Sequence, residues 1–321
     1  MPNRRQFAAG AAILFAAPAR GQAWPSRPVK IIVPFAPGGN TDIIARLMGK
    51  RLGDMFGQPF VVENRAGANG AIAAEVVARS PKDGYTLFMA ALPQIAIFPA
   101  MAKLNYNPAT DFAPVSNIGF NPFVLAASAK LVSVKTLADF VDHARTAKTA
   151  RFYGSAGIGS LSHLSMALLL ARAGVTLDHV PYQGGAPAMN DVVAGQSPFY
   201  FGNLSEVLPH AKTGAVNMIA VSSEARTPRL PDVPTVAESG YPGFKTITWN
   251  GLLAPAGTPR DIIDALASNS ARTVADAEVR AAFDGFGVTP VGDRPEQFAA
   301  TIAADIALWA EAVKLAGLEA R

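Results

Sequence analysis

A mixed α/β fold with mainly parallel sheets is what this sequence predicts, and three observations predict it. Short β-branched apolar runs alternate with segments whose apolar residues recur at helical spacing. Glycine-rich turns stand between a strand-like run and a helix-like run at three places. No short-period repeat and no low-complexity segment interrupts this alternation.

The first unit is the clearest. Val29–Phe35 reads as a strand, and Pro34, Pro37 and Gly38-Gly39 turn the chain. Ile43, Ile44, Leu47, Met48, Leu52 and Met55 then fall on one helical face, with Asn40 or Thr41 as the expected cap. Phe60–Val62 reads as a strand, Ile72–Ala78 as a helix and Tyr85–Ala90 as a third strand. Further on, Phe123–Ala127 is a strand, Leu137–Ala147 an amphipathic helix, and Phe152-Tyr153 a strand opening into a Gly/Ser turn. Leu161–Ala173 is the helix after it. His179–Tyr182 then reads as a strand and Pro187 to Ala194 as a helix, with strands at Phe199–Phe201 and Met218–Val221. Four prolines and a glycine make 228–242 a connection. Ile262–Val274 and Pro295–Ala316 are the closing helices, the last with Phe298, Ile302, Ile306, Trp309 and Val313 along one face.

The N-terminus has its own pattern. Arg4 and Arg5, the apolar run 8–19 and the small-residue end Gly21-Gln22-Ala23 form a secretory signal, which makes Trp24 the expected mature N-terminus. The Arg4-Arg5 pair followed by Phe7 also suits twin-arginine export. The run is shorter than the roughly 20 residues a membrane anchor needs. Of 321 residues, removal of the first 23 leaves 298, enough for two domains. The formal charge of +4 becomes +1, because that segment carries three Arg and no acid. With so little net charge left, and no basic cluster with interleaved aromatics, a nucleic-acid partner is rejected. Cys is absent, which removes disulfides, thiolate metal sites and a Cys nucleophile together.

The turn Gly38-Gly39 leads into a helix, and the free N–H groups of a helix start, aided by its dipole, suit an anion. The same device recurs at Gly154-Ser155-Ala156-Gly157-Ile158-Gly159-Ser160 and at Gly184-Gly185-Ala186-Pro187. Three such loops in one α/β chain point to a shared cleft. Enzyme signatures are missing by comparison. There is no G-x-S-x-G, H-E-x-x-H or P-loop, and the four His residues lack metal-ligand spacing. His163 reads as a helix-packing residue, and Asp42 as an acid that the helix dipole favours in the first turn.

Read in order, Val33-Pro34-Phe35-Ala36-Pro37-Gly38-Gly39-Asn40-Thr41-Asp42 and Glu63-Asn64-Arg65-Ala66-Gly67-Ala68-Asn69-Gly70 resemble the substrate-binding proteins of tripartite tricarboxylate transporters, the Bug or TctC-like family. The likeness continues through Pro81–Leu87, Asp111–Val115, Val180–Ala188, Leu230–Thr235 and Gly251–Pro259, and so spans the chain beyond the signal. It implies a type II periplasmic-binding-protein fold, two lobes hinged around an interdomain cleft. The lobes are expected at 24–122 plus 247–321 and at 123–246, with the chain crossing near Phe120–Val124 and returning near Pro242–Trp249. It also implies a ligand carboxylate held by backbone N–H groups and bridging waters, between Pro37, Gly38, Gly39, Asn40, Thr41 and Asp42 and the opposing Ser155, Gly157, Gly159 and Ser160. His163, Gly184, Gly185, Ala186 and Asn203 complete the expected site. One departure stands out: where the family shows a Val-Asp pair and an apolar run, this chain has Ser197-Pro198-Phe199-Tyr200.

The function implied is capture of a small carboxylate in the periplasm for two membrane subunits of a transporter, by a monomer without cofactor, metal or catalysis. A ligand-presenting sensor component for a receptor kinase is the alternative on the same fold. A hydrolase using Ser155 or Ser160 with His163 is the alternative from a different class.

Overall fold

The computed structural model describes residues 24–315; the signal segment 1–23 lies outside the described residues. The strands are β1 (Val29–Val33), β2 (Phe60–Asn64), β3 (Thr86–Ala91), β4 (Phe112–Ser128), β5 (Phe152–Ser155), β6 (Asp178–Pro181), β7 (Phe199–Asn203), β8 (Val216–Val221), β9 (Ile247–Pro255) and β10 (Thr289–Pro290). The helices are α1 (Asn40–Phe56), α2 (Ala71–Ala78), α3 (Phe98–Met101), α4 (Leu137–Thr146), α5 (Leu161–Ala173), α6 (Gly185–Ala194), α7 (Leu204–Val207), α8 (Arg260–Ala275), α9 (Ala277–Phe286) and α10 (Pro295–Leu315).

Strand order is β2-β1-β3-β9-β4-β7-β5-β6, with β8 and β10 also on β4. β1 pairs in parallel with β2 and β3, and β5 with β6 and β7, as βαβ crossovers require. β9 is antiparallel to both β3 and β4. Along β4, Phe112–Pro122 pairs with β9, whereas Phe123–Ser128 pairs with β7 and β8. One strand thus passes from one set of partners to the other. Pro114 and Pro122 hid its length in the sequence, since proline removes a ladder donor. The ladder accommodates the irregularity with register shifts at Pro114/Ser116 and Asn117/Gly119.

Period-two alternation explains how each sheet buries both faces. Val29, Ile31 and Val33 of β1 pack with Ile44, Met48 and Leu52 of α1 and with Leu266 of α8. Ile32 faces the other way, in a cluster that includes Ala73, Ala74 and Val77 of α2 and Phe298 of α10. Farther along, Phe199 and Phe201 of β7 join the cluster of Phe140 and Leu169, while Tyr200 between them joins Ala188, Met189 and Val192 of α6. α10 packs on β4, on α3 and α8, and on the helical turn Pro93–Ile97. Its Phe298 ring lies over Gly251 of β9, edge-on to Trp249 with centroids 5.1 Å apart. The segment 222–246 contains no helix and touches the sheet through a bridge from Thr235 to Val221, as its prolines suggest.

Candidate ligand site

Three helix starts converge on one small cavity of about 30 Å³. Gly39, Asn40 and Thr41 reach it from α1, Ser160 and Ser162 from α5, and Gly185 from α6. Each helix follows a strand end: β5 and β6 are parallel and put the α5 and α6 starts at one edge, whereas β1, three antiparallel pairings away, runs the opposite way and brings the α1 start in from the other side. A wider cavity of about 580 Å³ adjoins it at Phe35 and Ala156, and its walls include Ile72, Phe98, Tyr106, Ile158 and Tyr182.

The α1 turn needs glycine at Gly38, whose φ is +84°. Gly39 is the N-cap, at an ordinary φ of −79° and with no side-chain cap. The expected cap by Asn40 or Thr41 does not form, because both side chains are drawn to other partners. Asn40 donates to Asn250 Oδ1 at 2.6 Å and accepts from the Ser205 hydroxyl at 2.7 Å; Thr41 Oγ1 accepts from Asn250 Nδ2 at 2.8 Å. Asp42 lies beneath the turn and accepts from Gly38 N–H at 2.9 Å, Arg46 Nε at 2.9 Å and Asn64 Nδ2 at 2.8 Å. Burial raises its pKa, but the bonds from Arg46, Gly38 and Asn64 outweigh that and hold it below the ordinary carboxylate range.

The opposing loop is held by side chains. Ser160 is a true N-cap: its Oγ accepts from His163 N–H at 3.3 Å and donates to Gly157 C=O at 2.7 Å. Ser162 Oγ accepts from Ala156 N–H at 2.8 Å. His163 Nδ1 accepts from Gly159 N–H at 2.9 Å, so that nitrogen carries no proton. Its ring stacks on His179 at 3.9 Å, nearly parallel, and His179 Nε2 meets the Ser155 hydroxyl at 2.6 Å. Burial, then the neighbouring His163, pulls the His179 pKa down to about 4; burial also lowers that of His163.

At the third start Gly184 has a φ of +144°, and Ala36 N–H crosses from the α1 turn to Gln183 C=O at 3.2 Å. Asn69 Nδ2 makes a second crossing, to Ile158 C=O at 2.7 Å.

The acid at the centre was not foreseen. Glu206, buried at the third position of α7, accepts from Asn40 N–H at 3.0 Å and from the Tyr200 hydroxyl at 2.6 Å. A Cβ on Gly185 would overlap its carboxyl, and one on Gly39 would come within 3.3 Å of Oε1. Burial is the main influence on Glu206 and pushes its pKa up. Tyr200, whose ring folds over Gly202, also has a hydrogen bond to Ser162, so a polar line runs from the α1 start to the α5 start. The sequence signal for Glu206 was an acid three residues past a strand end, next to the unusual Tyr200.

Of the expected site residues, Gly39, Asn40, Thr41, Ser160, Gly185 and Asn203 line the inner cavity, and Gly157 the outer one. Pro37, Gly38, Asp42, Ser155, Gly159, His163, Gly184 and Ala186 line neither. Glu206 and Ser162 are the polar side chains of the inner cavity that the sequence reading lacked, together with Thr248 of β9.

Comparison with known proteins matches residues 44–318 to the tripartite tricarboxylate transporter family receptor model. Protein BugT of Bordetella pertussis is 36% identical over 304 residues, 94% of this chain and 93% of its own. An R. palustris protein solved with adipate is 36% identical, with a TM-score of 0.88 over 93% of this chain and 100% of that one. MatC from Rhodopseudomonas palustris with bound malate is 33% identical, with a TM-score of 0.85 over 90% and 99%. With its two-lobed binding-protein fold, this chain belongs to the tripartite tricarboxylate transporter receptor family.

Proposed function

We propose that the protein captures a small carboxylate between two lobes, 24–122 plus 247–321 and 123–246, and delivers it unchanged to two membrane subunits of a transporter. The convergence of three helix starts on one cavity carries this reading, because free N–H groups and helix dipoles favour an anion there. The neighbours solved with adipate and malate support the same ligand class. Binding without catalysis is supported by the place of Ser155: it is fully buried, lines neither cavity, and its contact with His179 serves the loop.

The inner cavity has room for about two waters and no more. A ligand therefore enters when the lobes part, breaking the bonds from Ala36 to Gln183, Asn69 to Ile158 and Asn40 to Glu206. Export places this event in the periplasm, with residues 1–23 as the signal; periplasmic protein that retains Met1 by mass spectrometry would refute the signal. A thermal-shift panel of carboxylic acids, each beside its neutral amide, tests the ligand class. An acid at a hundredfold excess over Kd adds about 2.7 kcal/mol to folding stability. No shift with any acid, or equal shifts with the amides, would overturn the proposal.

A further inference from the structure

We infer that Glu206 makes this receptor selective for amino-carboxylates, small carboxylates that carry a protonated amine a few bonds from the carboxylate. The inference rests on the carboxylate reading and narrows it.

Glu206 is a buried acid without a cation: among the described residues that line the inner cavity there is no Lys, Arg or His. Its carboxyl is met by neutral donors, Asn40 N–H, the Tyr200 hydroxyl and the N–H groups of Asn203, and burial favours its uncharged form. A second carboxylate brought into this cavity finds no cation there, and it meets a like charge, costly away from water, whenever Glu206 is ionised. An ammonium group removes the strain instead, since it pairs with the acid and restores its ionised form. Asn203 lines the same cavity, and its buried Oδ1 has no hydrogen-bond donor. It offers a second acceptor for the three donors of an ammonium.

The contact between Asn40 N–H and Glu206 joins a helix start to a carboxylate across the cleft. A zwitterion replaces that contact in both halves. Its carboxylate takes the freed N–H groups of α1, and its ammonium takes Glu206. A plain dicarboxylate replaces only the first half and brings Glu206 no cation. The positions around Glu206 fit a built device: Gly185 and Gly202 leave room for the carboxyl and the Tyr200 ring, and Tyr200 belongs to the stretch that departs from the family pattern.

Matched probes test this: propionate with alanine, succinate with aspartate, and glutarate with glutamate, titrated calorimetrically into the wild type, Glu206→Gln and Glu206→Asp. The expected result is at least one pair in which the amine tightens wild-type binding tenfold or more. Glu206→Gln loses that preference and Glu206→Asp keeps most of it. If a variant does not fold by circular dichroism, Tyr200→Phe replaces it and is expected to shrink the preference. Equal or tighter wild-type binding of the amine-free acids overturns the inference, as does a preference that survives Glu206→Gln. Acids that bind without regard to the amine leave the carboxylate reading standing, whereas failure of all six probes and of the wider acid panel removes both.

Discussion

At the scale of single residues, one carboxyl and one phenol dictate where glycine is needed. A methyl group on Gly185 would overlap the Glu206 carboxyl, so Gly185→Ala is expected to push that group off Asn40 N–H. Tyr200→Phe removes the other strong donor and leaves a buried acid less satisfied. Each change should cost about 1–3 kcal/mol of folding stability, the usual penalty for disturbing a buried polar contact. Urea denaturation measures both, and an unchanged midpoint for Tyr200→Phe would show that its hydroxyl does not hold Glu206. The sequence made Tyr200 visible as a departure but gave no hint of its partner. The reason is physical: the ring bends over Gly202 to reach an acid on the next helix, and side-chain direction of that kind is invisible in strand periodicity.

At the scale of elements, the βα turns were legible and the irregular pieces were not. Gly38-Gly39, Gly157 to Ser160 and Gly184-Gly185 all open helices where the glycine pattern placed them. Cap identity was harder to read, because Asn40 and Thr41 are claimed by Asn250 and Ser205, which lie far away in the chain. The length of β4 was hidden by its prolines, and the short elements α3, α7 and β10 carry no periodicity. Ser160 has a structural duty as the cap of α5. Ser160→Ala should therefore cost about 1 kcal/mol of stability even without ligand, and equal stability of the two proteins in urea would deny that duty. The stack of His163 and His179 beneath the same loop gives this element a pH dependence. His179 stays neutral in the folded protein down to about 4, whereas in the unfolded chain it takes up a proton near its ordinary value of 6.5. Stability is thus fully present above 6.5, falls as pH drops from 6.5 towards 4, and changes no further through this group below that. Melting temperatures across the window should fall less steeply for His179→Phe; parallel curves would exclude the pair as the source.

At the scale of the whole molecule, the fold was legible in the sequence, whereas the acid at the centre of the cleft, Glu206, was not. Alternating strands and helices, and the ordered family motifs, placed the architecture; the passage of β4 between two sets of partners and the return of the chain through β9 supply its geometry. Lobes that part to admit a carboxylate predict a change in radius of gyration by X-ray scattering once ligand is added, and identical profiles would argue against hinged lobes. The central claim is that backbone groups at the α1 start hold the ligand, and Gly39 tests it most directly. Its φ of −79° is open to any residue, so a side chain there acts by occupying space: a Cβ already comes within 3.3 Å of Glu206 and 3.9 Å of Ala186 N. Isothermal titration of the best acid from the panel into wild type, Gly39→Val and His163→Ala, each folded by circular dichroism, gives the decision. Binding lost in Gly39→Val and largely kept in His163→Ala is the predicted result. Normal binding by Gly39→Val together with its loss in His163→Ala would contradict a ligand held at the helix starts.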